Sequence, residues 1–352
     1  MFIYSKFYII IKKVVLMINV AINGFGRIGR MVFKIAWNDP KINIVAINDL
    51  TDNGQLAYLL KYDSMQETFA GKVRATKSSL VVDGKAIKVY AERDPMNLPW
   101  KDLKVDVVVE STGMFTHDID AKKHLDAGAK KVIISAPVKH DEKCKTQFCT
   151  IVKGVNDKVY KKQNIVSNAS CTTNCLAPVV KTLHDAFKVK QGFMTTTHAY
   201  TGDQKLLDGP HKKDPRRGRS AAINIVPTTS GATKAVEMVI PQLKGKLNGL
   251  ALRVPVATGS IVDFVCEVGK DVTVEKVNAA MQKASQKQLK GVMQYTKDPI
   301  VSSDVVGNSH SCVFDSALTQ VLNKRFVKVL VWYDNEWGYS NRMIDVIKMI
   351  SK

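Results

Sequence analysis

From Met17 onward, short apolar runs alternate with segments of helical period. Ile18–Ile22 reads as a buried strand that stops at Asn23-Gly24, Arg27–Trp37 spaces its apolar residues along one helical face, and Ile42–Ile47 is a second strand. Further apolar runs lie at Val105–Val109, Val132–Ile134 and Ile165–Val166. Each is followed by polar or small residues: Glu110-Ser111-Thr112-Gly113, Ser135-Ala136-Pro137, and Ser167-Asn168-Ala169-Ser170-Cys171. A parallel sheet shows this pattern when ligands sit beyond the carboxyl ends of its strands. After Cys171 the runs lengthen. Phe193–Thr197, Leu247–Val254, Ser260–Val268 and Phe326–Tyr333 are rich in β-branched residues, Val274–Leu289 is expected to be a helix between them, and Trp337–Ile350 closes the chain as an amphipathic helix. The second half is therefore expected to build a mixed sheet of its own.

The first strand leads into Gly24-Phe25-Gly26-Arg27-Ile28-Gly29, a G-x-G-x-x-G between a strand and a helix. The first glycine permits a tight turn, the second lets backbone approach a pyrophosphate, and the third allows close helix–strand packing. The helix start then favours the negative charge. Asp49 follows Gly29 by 20 residues, at the end of the second strand. An acidic side chain there accepts hydrogen bonds from the adenosine ribose and repels a 2′-phosphate, so NAD is expected rather than NADP.

A second constellation joins Cys171 and His198. Ser170-Cys171-Thr172-Thr173-Asn174-Cys175 follows a strand and precedes the apolar segment Leu176–Leu183. This places Cys171 at a helix start, where partial positive charge favours thiolate. Cys175, one turn further on, reads as a small packing residue, and the two make no metal site because no further Cys or His completes a tetrahedral set. His198 ends the run Thr195-Thr196-Thr197. The other histidines, at 117, 124, 140, 184, 211 and 310, read as solvated or structural. A Cys–His pair can activate a thiolate and shuttle a proton.

Composition narrows the setting. The 352 residues are enough for two domains, and 45% apolar with 24% charged residues is a globular balance. Six cysteines are too sparse for a disulfide scaffold of this size, which points to a reducing, cytoplasmic compartment. No stretch is apolar for long enough to span a membrane. Residues 1–16 are apolar but broken by Lys6, Lys12 and Lys13, and read as an extension ahead of Met17 rather than a signal peptide. The net charge of +20 leaves nucleic-acid binding open, but the lysines are spread along the chain without a basic block.

INGFGRIGR, ASCTTNC, THAYTGDQ, PTTSGATKAV, LRVP and WYDNEWGYSNR occur in this order. Over residues 17–352 the chain closely resembles the phosphorylating glyceraldehyde-3-phosphate dehydrogenases. The resemblance implies an α/β fold with a Rossmann-type cofactor domain over residues 17–170, closed by a helix at 338–352. It further implies an α+β catalytic domain with a mixed sheet over residues 171–337, and a homotetramer in which Thr201–Ala222 forms a loop beside the cofactor near a subunit interface. Cys171 matches the nucleophile and His198 its base. Thr201 and Arg253 are implied to hold the triose phosphate. Ser170, Thr172, Ser230, Gly231 and Arg219 are implied to meet inorganic phosphate. Arg27, Ile28, Asp49, Arg93, Ser135 and Asn335 are implied to contact NAD. Two departures stand out: Ser230 replaces the usual Thr, and His211-Lys212-Lys213-Asp214-Pro215 is longer than in many relatives. The implied reaction is oxidative phosphorylation of glyceraldehyde 3-phosphate. A related erythrose-4-phosphate oxidation, or an added RNA- or surface-binding role, is the alternative.

Overall fold

The computed structural model describes residues 17–352, so the extension read at 1–16 lies outside the described residues. In chain order the first half runs β1 (Ile18–Asn23), α1 (Arg27–Trp37), β2 (Ile42–Asn48), α2 (Asn53–Lys61), β3 (Val73–Ala75), β4 (Ser79–Val82), β5 (Lys85–Tyr90), β6 (Val107–Glu110), α3 (Asp118–Asp126), β7 (Lys131–Ile134), β8 (Phe148–Thr150) and β9 (Ile165–Ser167). The second half runs α4 (Cys171–Phe187), β10 (Val189–Ala199), β11 (Val226–Thr229), α5 (Ala232–Val239), β12 (Leu247–Val254), β13 (Ser260–Val268), α6 (Val274–Gln286), β14 (Met293–Thr296), β15 (Cys312–Leu322), β16 (Phe326–Tyr333) and α7 (Trp337–Ile350).

β1 to β9 form one sheet in the order β3-β4-β5-β2-β1-β6-β7-β9-β8. It is parallel from β5 to β8, and antiparallel through β3, β4 and β5. The middles of the central strands are apolar because both faces are covered: Val20, Ala21, Ile22, Val107, Val108 and Val109 are fully buried. The antiparallel edge was not anticipated. Its strands are short, β5 carries exposed lysines, and the one apolar run, Leu80–Val82 of β4, spans only three residues. The signal was Asp83-Gly84, both left-handed (φ 48° and 86°), which turns β4 back as β5.

The second sheet has the order β11-β12-β10-β13-β16-β15-β14 and mixes parallel and antiparallel pairs. β10 and β12 are parallel and in register, which sets His198 directly beside Arg253. α4 packs on this sheet with Leu176, Val179, Val180 and Leu183 fully buried. α7 returns to the first sheet. Tyr339, Met343 and Ile347 share a core with Val20 and Phe33, and Lys348 pairs with Asp39 at 2.8 Å. Cys171, at the start of α4, packs against both cores. Among the described residues no helix is long and apolar enough to cross a membrane.

Candidate active site

The glycine turn is shaped by contact as well as by φ. Gly24 has φ +90°, and a β-carbon there would lie 2.6 Å from the Thr112 nitrogen. One on Gly29 would lie 2.1 Å from the Gly24 carbonyl oxygen, whereas Gly26 faces open space. So the first and third glycines serve packing, and the second leaves room for a ligand. Gly26 caps α1 without a side chain, and no acidic residue occupies the helix's first turn. The amides at this end are therefore free to bind an anion.

Two cavities flank this helix start. One, of about 320 Å³, is lined by Gly24, Gly26, Asp49, Arg93, Thr112 and Phe115, among others. Asp49 forms part of its wall, and its carboxylate accepts from the Phe25 and Thr51 amides at 2.7 and 2.9 Å. The other cavity, of about 310 Å³, is lined by Arg27, Ile28, Ser135, Ser170, Cys171, His198, Thr201 and Asn335, with Glu336 and Tyr339. The Arg27 guanidinium is committed to Asp63 at 2.8 Å and to Glu336 at 2.7 Å. A ligand at this helix start therefore meets backbone amides, while the arginine fork is already occupied.

Cys171 is the first residue of α4, and Ser170 caps that helix by accepting from the Thr173 amide at 3.1 Å. Such a cap contributes about 1 kcal/mol. Ala169, just before it, is left-handed at φ 54°, a strain of roughly 1 kcal/mol for a residue with a β-carbon. Two contacts hold it there. Tyr339 donates to the Ala169 carbonyl at 3.0 Å, and the Ala169 amide donates to Ser167 Oγ at 3.0 Å.

The Cys171 Sγ lies 3.4 Å from His198 Nε2. His198 Nδ1 lies 2.7 Å from the Ala199 carbonyl oxygen, so Nδ1 carries the hydrogen and Nε2 presents its lone pair to the sulfur. Burial pushes His198 down to about 3, with the Arg253 cation adding to the effect, so the ring is a neutral acceptor. Burial also pushes the Cys171 thiol up, against the pull of Arg253 and Thr172. The expected bias toward thiolate at the helix start is thus outweighed by desolvation, and the resting pair is thiol and imidazole. The same cation acts on both: it favours the thiolate and disfavours the imidazolium.

Arg253 Nη1 donates to the Ala199 carbonyl at 3.1 Å and to Thr201 Oγ1 at 2.9 Å. Thr201 in turn donates to Asp203, which pairs with Arg217 at 2.9 Å. Ser230 and Gly231 stand at the start of α5, where Gly231 leaves open space and Ser230 Oγ accepts from the Ala232 amide at 3.3 Å.

Two residues read as phosphate contacts are otherwise engaged. The Thr172 hydroxyl is buried against Tyr333 OH at 2.9 Å, because α4 turns that side chain inward toward β16. Arg219 is mostly exposed and paired with Asp208 at 2.9 Å, and it does not line the Cys171 cavity. Several residues that shape the site went unassigned in the sequence. Asp203 was within THAYTGDQ, and Tyr333 and Tyr339 were within WYDNEWGYSNR, but nothing in those strings told which side chain brackets the nucleophile. Tyr333 bonds both Thr172 and Thr196 at 2.9 Å and sits edge-on to the His198 ring, fixing α4 to β10. Cys175 is fully buried, as a packing residue would be, and among the described residues no side-chain group is arranged to hold a metal.

Comparison with known proteins shows what the chain as a whole is similar to. Residues 18–118 match the family described as glyceraldehyde 3-phosphate dehydrogenase, NAD binding domain, and residues 170–335 match its C-terminal domain. The chain is 54% identical over 332 residues to glyceraldehyde-3-phosphate dehydrogenase 2 of Streptomyces avermitilis, covering 94% of this chain and 97% of that protein. It is 54% identical to the Geobacillus stearothermophilus glyceraldehyde-3-phosphate dehydrogenase over 336 residues (95% and 98% covered), and 55% identical to that of Borreliella burgdorferi over 342 (95% and 100%).

Proposed function

The chain belongs to the glyceraldehyde-3-phosphate dehydrogenase family, and from that premise we propose that Cys171 is its covalent nucleophile and His198 its acid–base partner. It is an NAD-dependent oxidoreductase of glycolysis. The observation that carries the site assignment is the 3.4 Å approach of Cys171 Sγ to a His198 Nε2 whose other nitrogen is spent on Ala199.

In the proposed reaction, His198 Nε2 takes the thiol proton as Cys171 Sγ bonds to the aldehyde carbon, and returns it to the carbonyl oxygen. The neutral imidazole then removes that hydroxyl proton while the carbon gives up its hydride, leaving an acyl thioester on Cys171. NAD, when bound, supplies the hydride acceptor. The Cys171 backbone amide, at the positive end of α4, favours the developing oxyanion. Inorganic phosphate then attacks the thioester carbon, the Cys171–acyl bond breaks, and an acyl phosphate leaves. Arg253 and Thr201 suit the substrate phosphate, with a fork of donors beside a hydroxyl. Ser170 and the free amides of Ser230-Gly231 suit the second phosphate. Arg219 reaches it only by leaving Asp208.

For the cofactor, the α1 amides suit the pyrophosphate, Asp49 and Arg93 the adenosine half, and Ser135 and Asn335 the nicotinamide half. Asn335 Oδ1 already accepts from Gly259 and Ser260 at 3.1 and 3.0 Å, so its amide nitrogen is left to donate to the cofactor. Asp49→Ala is expected to lower the NAD-to-NADP ratio of kcat/KM by roughly tenfold or more, because it removes both the ribose acceptor and the charge that repels a 2′-phosphate. An unchanged ratio would remove Asp49 from the site.

Division into a cofactor unit (17–170 with 338–352) and a catalytic unit (171–337) is part of the same reading, supported by two sheets with separate cores. So is a cytoplasmic homotetramer. In its support, the apolar side chains of Leu206, Leu207, Ile223, Ile225 and Phe193 are each at least two-thirds exposed, as interface residues are in an isolated subunit. The assay that tests the whole reading follows NADH at saturating glyceraldehyde 3-phosphate. Steady turnover is expected only with phosphate or arsenate present, and a rate indifferent to both would overturn the thioester scheme. Faster turnover of erythrose 4-phosphate would instead favour that substrate.

A further inference from the structure

β1, β2 and β6 end in register on the buried Asn23, Asn48 and Glu110, of which Asn23 and Asn48 line the Asp49 cavity. Behind them sits His124 of α3, wholly buried and unused by the chemistry above. Its neighbours fix its tautomer. Trp100 Nε1, which can only donate, lies 3.0 Å from His124 Nδ1, so Nδ1 is an acceptor and the hydrogen is on Nε2. That hydrogen points to Glu110 Oε2 at 3.0 Å. Asn23 Nδ2 donates to the same oxygen at 2.6 Å, so the Asn23 carbonyl is turned to accept from Asn48 Nδ2 at 2.7 Å. Asn48 Oδ1 then accepts from the Glu92 amide at 2.8 Å, next to Arg93. Every amide and ring in the chain from Trp100 to residue 92 therefore has one allowed orientation.

The chain reaches the cavity at further points. Glu110 Oε1 accepts from the Thr112 amide at 2.9 Å and from its hydroxyl, holding the turn whose backbone touches Gly24. Phe115 sits edge-on to the His124 ring and lines the cavity. We propose that His124 is a positioning residue for the adenosine half of NAD: its Nε2–H holds the Glu110 carboxylate, which sets Asn23, Thr112 and, through Asn48, the residue 92–93 wall. This rests on the reading that the Asp49 cavity takes adenosine. His124 does not line the Cys171 cavity, so its influence falls on cofactor affinity and leaves the thiol chemistry alone.

Affinity for NAD and for ADP-ribose is measured by titration calorimetry, kcat at saturating NAD, and the rate of Cys171 alkylation by iodoacetamide without cofactor. His124→Ala is expected to weaken both ligands by roughly tenfold, as loss of a hydrogen bond to a buried carboxylate implies, with kcat and alkylation within about twofold. His124→Gln, whose amide N–H replaces Nε2–H, is expected to recover most of the affinity. Trp100→Phe keeps the bulk but frees the ring to change tautomer, and is expected to weaken both ligands even where the alanine variant fails to fold. Unchanged affinity in His124→Ala or Trp100→Phe would overturn the proposal, as would a parallel loss of affinity, kcat and alkylation, or no recovery in His124→Gln. Asp49→Ala, run alongside, separates the two failures. If it alters ligand affinity while the His124 and Trp100 variants do not, the positioning role is wrong. If none of them alters it, the adenosine assignment of the cavity is wrong.

Discussion

In a Cys171→Ser protein, NADH formation from glyceraldehyde 3-phosphate is expected to fall by about 10⁴-fold or more, with the fold and cofactor affinity intact. The exchange replaces one atom at the first position of α4, after a Ser170 cap and an Ala169 hydrogen bond that do not involve the side chain. A serine hydroxyl is far harder to ionise than a thiol, even one raised by burial, so the variant presents far less nucleophile to the aldehyde. An oxygen ester would also forfeit the acyl-transfer potential that lets phosphate take over the acyl group. Single-turnover assays with enzyme in excess are the decisive measurement, since they detect even one hydride per site. A burst of NADH equal to the enzyme concentration in the serine variant would exclude Cys171 as the nucleophile.

The second large effect is expected in His198→Asn, with kcat reduced by roughly 10²–10⁴. Asparagine keeps a polar side chain at the end of β10 but cannot take a proton from Cys171. The change also has a pH signature. Burial raises the Cys171 thiol above its ordinary range, so its reactive fraction grows as pH rises. His198, held near 3, stays neutral throughout the working range, so proton acceptance by Nε2 is available at every pH where the thiol reacts. Without that acceptor the thiol must ionise unaided. The alkylation profile between about pH 6 and pH 10 should therefore shift to higher pH in the variant, with the largest deficit at the acid end. Superimposable profiles would show that His198 does not take the proton.

The parts legible in the sequence are those in which one physical constraint acts on neighbouring residues. β1, β2, β6 and β7 declare themselves because burial demands mostly apolar runs, interrupted within β1 and β2 only by the half-buried Asn19 and Asn43. Gly24 and Gly29 were readable because a β-carbon at either meets backbone within 3 Å. What stayed hidden depends on partners distant in the chain. β15 spans Cys312–Leu322, yet Asp315 and Ser316 interrupt its apolar pattern. They are buried because the Trp332 indole and the Thr296 carbonyl satisfy them, as no local window can show. The family resemblance implied Thr172 as a phosphate ligand, but the direction of its hydroxyl is decided by Tyr333, 161 positions away. Arg219 has its guanidinium claimed by Asp208 across a loop whose path the sequence did not fix. His124 read only as solvated or structural because the partners that orient it, Trp100 and Glu110, lie outside its helix.

Tyr339 grips the carbonyl one residue ahead of the helix cap, across 170 positions of sequence. The segment carrying the thiol and the imidazole is therefore not a cassette. Grafted alone onto a foreign scaffold, residues 171–337 would transplant both reactive groups and leave behind the clasp that steadies the bend before them. Recombination between distant homologues meets the same constraint, and a viable chimera must inherit the closing helix and the bend from a matched parent.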